Sequence, residues 1–269
     1  MTIVHDGTPS SRLRATGLSV GYGEKPVVRD LDLDLHDGAV TTVIGPNGCG
    51  KSTLLKALGR LLRPSAGEVL LDGRRIDKTS TKEVATELAL LPQSPVAPEG
   101  LVVRDLVARG RHPHQSWLRQ WSADDQDVVD ETLRWTSIED LADQSIDQLS
   151  GGQRQRAWIA MALAQQTGIV LLDEPTTFLD LSHQIEVLDL VRMLNHDRGA
   201  TVVMVLHDLN LAARYSDQIV AMRAGRIIAS GTPEEVITVD LLRTVFSLDA
   251  RVIDDPVTGK PLVVPIGSI

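Results

Sequence analysis

The stretch VTTVIGPNGCGKST, residues 40–53, decides the fold. VTTVIG, residues 40–45, carries no charge on either face, which is what a strand buried inside a parallel sheet requires. Behind it, Gly45, Gly50, Lys51 and Ser52 stand in the spacing G-x-x-x-x-G-K-[ST], and STLLKALGRLL continues in a helical pattern. Glycines let backbone N–H groups converge on an anion, a helix N-terminus adds its dipole, and a lysine supplies positive charge for outer phosphates. Gly45, Pro46, Asn47, Gly48, Cys49, Gly50, Lys51, Ser52 and Thr53 are therefore read as a phosphate cradle. Within it Ser52 can ligate Mg2+ and Thr53 can reach the inner phosphates. The competing reading, a glycine-rich turn that binds nothing, does not account for the strand before it and the helix after it.

Outward from this loop, IVLLD at 169–173 and TVVMVL at 201–206 are apolar on both faces in the same way, and QIEVLDLVRMLNHD lies between them in a helical pattern. Alternation of this kind predicts an α/β domain with a mainly parallel sheet, and the G-x-x-x-x-G-K-[ST] loop makes it a P-loop core. Residues 13–20 and 27–35 instead alternate apolar and polar, most clearly in LDLDL, and EVLLDG at 68–73 resembles them. They predict an N-terminal antiparallel β subdomain. From about 94 to 165 the chain shows short helical segments, VRDLVARG and ADDQDVVDETLRWT among them, and no strand candidates. This predicts a helical subdomain inserted in the core. QIVAMRAGRIIASG reads as two strands joined by a glycine turn, TPEEVI as a helix start capped by Thr232, and RVIDDPVTGKPLVVP as a hairpin around Thr258 and Gly259. Residues 1–12 read as a frayed tail and 13–269 as one domain.

The composition narrows the function classes. A chain of 269 residues with 42% hydrophobic content can fill a sizeable core. A formal net charge of -9 argues against binding nucleic acid through phosphate neutralisation, so no nucleic-acid partner is expected. Cys49 is the one cysteine, which rules out an internal disulfide and suits a reducing compartment. The apolar runs fall far short of the roughly 20 residues that span a bilayer. Any membrane role has to come through a partner.

Two further features carry chemistry. IVLLDE ends in Asp173 and Glu174, two acids at the carboxyl end of a buried strand, where α/β proteins place ligand sites. The chemical division of labour has Asp173 holding the magnesium shell while Glu174 orients and partly deprotonates an attacking water. A pair of solvated loop acids is the alternative. LSGGQ at 149–153 sets a serine and two glycines before an apparent helix, and it admits two readings: a capped helix start, or a second anion cradle.

These residues together resemble the nucleotide-binding subunit of ATP-binding cassette transporters, over nearly the whole chain after residue 12. The motifs stand in family order: Tyr22 in VGYG, the loop GPNGCGKST, Gln93 in LLPQS, the signature LSGGQ, the strand IVLLDEP, FLD at 178–180, and His207 in VLHD. The resemblance implies a homodimer packed head to tail, in which ATP on the phosphate loop of one subunit is closed over by the signature of the other. It implies that Tyr22 stacks on adenine, an interaction worth roughly 1 to 3 kcal/mol; core packing is the other use for that ring. It also implies that Gln93 touches magnesium or the water and senses the membrane partner. His207 would contact the γ-phosphate and help position Glu174. Ser150, Gly151, Gly152 and Gln153 would cradle the partner's phosphate, and Asp180 would cross the interface, although a helix cap is a simpler role for it. The implied cofactors are ATP and Mg2+.

Without a membrane helix of its own, the chain fits the arrangement of bacterial importers, whose ATPase is a separate polypeptide. The expected partners are transmembrane permease subunits and, through them, an extracytoplasmic substrate-binding protein, with this subunit at the cytoplasmic face of the membrane. RGRHPHQSWLRQWSADDQ at 109–126 and TTFLDLSHQ at 176–184 are similar to ATPases of ferric-siderophore, haem and cobalamin importers, although those relatives often carry tyrosine in place of His112. Iron-siderophore uptake is the expected function; cobalamin, haem or another metal complex is the alternative cargo, and a soluble non-transport cassette the alternative class. His112 and His114 flank a proline and read as surface residues rather than an iron site. Trp117, Leu118 and Trp121 either line a groove for the permease or pack within the helical lobe. Cys49 reads as a small side chain turned away from the nucleotide.

Overall fold

The computed structural model describes residues 11–23, 25–115 and 121–269. Strands β1 (Leu13–Val20), β2 (Val28–Asp34) and β3 (Val40–Ile44) lead into helix α1 (Lys51–Leu58). Next come β4 (Ala66–Leu71), the short β5 (Arg74–Arg75), α2 (Thr81–Glu87) and β6 (Leu88–Leu91). Helices α3 (Val103–Arg109), α4 (Ala123–Trp135) and α5 (Gly151–Ala164) precede β7 (Ile169–Leu172). Helix α6 (Leu181–Arg198) leads to β8 (Thr201–Val205), and α7 (Leu209–Tyr215) to β9 (Gln218–Arg223). The order ends with β10 (Arg226–Gly231), α8 (Pro233–Val236), α9 (Val239–Phe246), β11 (Leu248–Asp254) and β12 (Pro261–Ser268).

Six strands form the central sheet in the order β10-β9-β3-β8-β7-β6. Every neighbour pair in it is parallel except β9 with β10. Strands β3, β7 and β8 are buried at every position, so their doubly apolar sequences face packing on both sides. Alternate residues enter different cores: Ile169 and Leu171 join the cluster under α1 and the antiparallel strands, while Val170 and Leu172 join the one under the long helices. A separate antiparallel sheet, β2-β1-β4-β5, lies on the first side. Its β2 keeps Leu31 and Leu33 buried and Asp30, Asp32 and Asp34 exposed, as the alternation predicts.

Two boundaries differ from the sequence reading. LALL at 88–91 is a strand, the edge of the parallel sheet, yet it follows α2 with no turn between them, so nothing in the sequence punctuates it. Helix α1 also stops at Leu58: Gly59 makes the last helical bond, to Leu55 O, and Arg60 then turns into the left-handed region at φ 62°. Between β6 and β7 the named elements are the three helices α3, α4 and α5 with short 3-10 turns. Capping boxes start α2 at Ser80, α4 at Ser122, α5 at Ser150 and α8 at Thr232. β11 and β12 pair as the expected hairpin, with Gly259 at φ 71° in its turn.

Candidate nucleotide site

Parallel strands end at one edge of the sheet, and the expected chemistry collects there, after the carboxyl ends of β3, β6, β7 and β8. The loop after β3 takes a conformation only glycine permits. Gly45 sits at φ 151° with Met222 O only 2.2 Å from where a Cβ would stand. Gly50, at φ 108°, caps α1 against Val27 and Val28. The buried Lys51 folds back along the loop, its Nζ donating to Gly45 O at 2.8 Å and Pro46 O at 3.2 Å.

Ser52, in the first turn of α1, donates to Asp173 Oδ1 at 2.8 Å. The other carboxylate oxygen of Asp173 is buried and has no hydrogen-bond partner. Burial pushes the Asp173 carboxyl above the ordinary carboxylate range, against the Ser52 hydrogen bond. An unsatisfied buried oxygen beside a hydroxyl fits a small divalent cation such as Mg2+. Among the described residues no group of three or more His, Cys, Asp or Glu side chains gathers, so a cation here would draw its other ligands from phosphate, water or neutral side chains.

Glu174, the next residue, lies at φ 54° in the left-handed region. Gln93 Nε2 donates to its Oε2 at 2.6 Å and Thr177 Oγ1 to the same oxygen at 3.0 Å. His207 Nε2 stands 2.7 Å from the other oxygen, Oε1. Residues from three separate loops thereby hold one carboxylate at the mouth of the phosphate loop. That backbone conformation costs about 1–3 kcal/mol.

Ser52, Gln93, Glu174, Thr177 and His207 share a cleft of about 630 Å³, and Asp173 lies buried beneath Ser52 outside its lining. From the phosphate loop the cleft receives Asn47, Gly48, Gly50, Lys51, Ser52 and Thr53; Gln93, Glu174 and His207 also line it. Tyr22 lines it as well, 58% exposed, so its ring is not core packing. Gly45, Pro46 and Cys49 are not in the lining; Pro46 and Cys49 instead bound a second cavity behind the loop, with Arg223 and Phe246. Ser150, Gly151, Gly152, Gln153 and Asp180 do not line the cleft either. They sit at the starts of α5 and α6, where Ser150 accepts from Gln153 N and Asp180 from His183 N.

The sequence profile of the ABC transporter family matches residues 28–177. An ATP-binding protein of Bacillus subtilis (strain 168) assigned to a siderophore transport system is 56% identical over 257 residues, 96% of this chain and 94% of that protein. The chain belongs to the ABC transporter family. The ferric enterobactin transport ATP-binding protein of Escherichia coli (strain K12) is 51% identical to this ABC ATPase over 96% of this chain and 95% of its own. A solved ATP-binding cassette, dimeric and bound to ADP and Pi in a post-hydrolysis state, superposes with a TM-score of 0.72 at 27% identity, covering 82% of this chain and 98% of that one.

Sequence reasoning missed Thr177 and Val27, which also line the cleft of this ABC ATPase. Thr177 had a signal: a hydroxyl three residues after Glu174 can reach back to its carboxylate within one turn. Val27 had none, since its place depends on how the antiparallel sheet packs on the loop. Of the residues set aside in the sequence, His114 bonds Gln165 O through Nε2 at 2.7 Å, a structural contact. Trp117 and Leu118 lie outside the described residues, and Trp121 is 44% exposed.

Proposed function

We propose that this ABC ATPase drives an importer for iron-siderophore complexes, acting at the cytoplasmic face of a membrane through permease subunits that receive cargo from an extracytoplasmic binding protein. The observation that carries the catalytic part is the Glu174 carboxylate, held by Gln93, Thr177 and His207 at the mouth of the phosphate loop. In this reading ATP lies with its adenine on Tyr22 and its phosphates along Gly48, Gly50, Lys51 and Thr53. Lys51 neutralises charge on the outer phosphates. Ser52 and Asp173, with Gln93 nearby, would hold Mg2+, which when bound offsets phosphate charge as the terminal group leaves.

Glu174 orients the attacking water and accepts its proton, a contribution on the order of 10²- to 10⁴-fold in rate. His207 and Gln93 fix the carboxylate and reach the terminal phosphate and the water. Ser150 and its neighbours start a helix whose backbone N–H groups suit an anion, yet they stand outside their own chain's cleft. A second copy turned head to tail supplies them, and the dimeric state of the solved cassette supports that arrangement. The names of the two curated relatives support siderophore cargo.

The test is uptake of labelled ferric siderophore by cells carrying either the parent chain or a Lys51→Ala copy. Uptake lost in the variant supports the assignment. Unchanged uptake moves the cargo to cobalamin, haem or another metal complex.

A further inference from the structure

Two turns that the head-to-tail reading turns toward the other copy touch each other within one chain, through a residue with no role so far. His183 lies in the first turn of α6. Its Nδ1 stands 2.6 Å from Asp180 Oδ1, and its backbone N–H donates to the same oxygen at 3.0 Å. Asp180 stays ionised, held down to about 2 by the His183 N–H, the Ser182 hydroxyl and the His183 ring. Because that carboxylate accepts, Nδ1 carries the proton. The face of the ring covers Gly152: a Cβ there would stand 2.5 Å from His183 Cδ2 and 3.2 Å from Nε2.

Gly152 therefore owes its lack of a side chain to the imidazole seated on it. Turning the ring away to make room breaks the bond to Asp180. Neighbouring contacts run in the same direction: Leu179 Cδ2 lies 3.9 Å from the Cβ position of Gly151, and Arg156 pairs with Glu186 at 3.8 Å. The starts of α5 and α6 meet at these few side chains.

We propose that His183 is a positioning residue for ATP turnover, joining the signature turn at Gly152 to the Asp180 turn so that both meet the other copy's nucleotide as one rigid piece. This rests on the head-to-tail reading of the site. It also predicts how the two turns respond to damage: a change at Gly152 is transmitted to Asp180, and a change at His183 lets the two turns move independently.

The test measures ATP turnover against ATP concentration, and nucleotide affinity of the single chain with a fluorescent ATP analogue, in His183→Ala, His183→Asn, Gly152→Ala, Ser150→Ala and the Gly152→Ala/His183→Ala pair. His183→Ala is expected to lower kcat about tenfold and flatten the cooperativity, with single-chain affinity within about twofold of the parent. His183→Asn, whose amide can donate from near the Nδ1 position, regains most of the rate. Gly152→Ala is impaired, and the double variant loses less than the product of the two single losses, since the small residue at 183 makes room. Turnover within about twofold of the parent in His183→Ala, with Ser150→Ala impaired, overturns the role of His183 alone. A His183→Ala loss that tracks weakened single-chain binding also overturns it, making the residue merely structural. Cooperative turnover intact in Ser150→Ala overturns the head-to-tail reading and this proposal with it.

Discussion

His207 Nε2 and Glu174 Oε1 stand 2.7 Å apart, although they follow different strands of the parallel sheet, β8 and β7. Adjacent strand ends make that distance possible, and Gln93 and Thr177 complete the grip on the other oxygen. Glu174→Gln keeps the shape and most of these contacts but cannot take a proton. The variant is expected to bind nucleotide as the parent does and to lose on the order of 10²- to 10⁴-fold in turnover. Near-normal hydrolysis would remove Glu174 from the role of base.

Gly45→Ala forces a Cβ to within 2.2 Å of the Met222 carbonyl and 2.8 Å of Cys49 Sγ. The first is backbone of β9 and cannot rotate away. Overpacking of this kind costs about 1–3 kcal/mol, and the loop has to leave its cradle shape, so nucleotide affinity falls too. Gly48→Ala is the comparison: open space surrounds that position, and the φ of 75° is the remaining obstacle. Denaturation midpoints and nucleotide titrations should show a larger loss for Gly45→Ala in both.

The two glycines illustrate how much of the site the sequence discloses. The loop, its lysine and the acids after β7 were legible because phosphate chemistry fixes residue types and spacing, and the buried strands on either side fix their context. Thr177 and Val27 were less so, since their part in the cleft depends on distances between segments far apart in the chain. Strand β6 escaped notice for a local reason: LALL follows a helix directly and matches a helical continuation equally well. The separation of Ser150 and Asp180 from the cleft was expected only from the family resemblance; the motif itself reads equally as the helix cap it also is.

The buried carboxyl of Asp173 binds its proton more tightly in the folded chain than in the unfolded one, since burial raises its pKa. Ionising it therefore costs stability above that raised value, and the cost is lifted as the pH falls through it. A cation at Ser52 and Asp173 requires the ionised form. The extra thermal stability given by Mg2+ in the presence of nucleotide is expected to grow as the pH rises above the ordinary carboxylate value of about 4 and through the raised one. Melting temperatures with Mg2+ and with EDTA across that range check this, and Asp173→Asn should abolish the difference. A difference independent of pH would mean that the cation is held elsewhere.

Cys49 is buried behind the phosphate loop, and burial raises its thiol above the ordinary value, against the nearby Lys51 charge. Alkylation requires the thiolate, so its rate should climb about tenfold per pH unit between pH 7 and 8 and stay below that of an exposed thiol. MgATP, by fixing the loop, should slow it further. As the one cysteine in the chain, Cys49 makes mass spectrometry of the modified protein unambiguous. A rate indifferent to nucleotide would show that the loop does not have to move for the reagent to enter.

Arg111 and Asp125 form a buried ion pair at 3.0 Å, and Arg111 also donates to Ala164 O and Gln166 Oε1. Removing one partner leaves a buried charge uncompensated. Asp125→Ala is expected to cost about 3–5 kcal/mol in urea unfolding, whereas Arg111→Met with Asp125→Leu should cost much less. Equal losses would show that the hydrogen bonds to Ala164 and Gln166, rather than the charge pair with α4, hold Arg111 in place.

The strand order of the central sheet sets a schedule on the chain's birth. β3 delivers the phosphate loop within the first fifth of the sequence, yet its two neighbours in the sheet, β8 and β9, come from the last third. A nascent chain therefore exposes its glycine loop long before the two strands that flank β3 exist. Fragments that keep the whole loop but stop before β8 should bind ATP far more weakly than the whole chain, which a nucleotide titration checks.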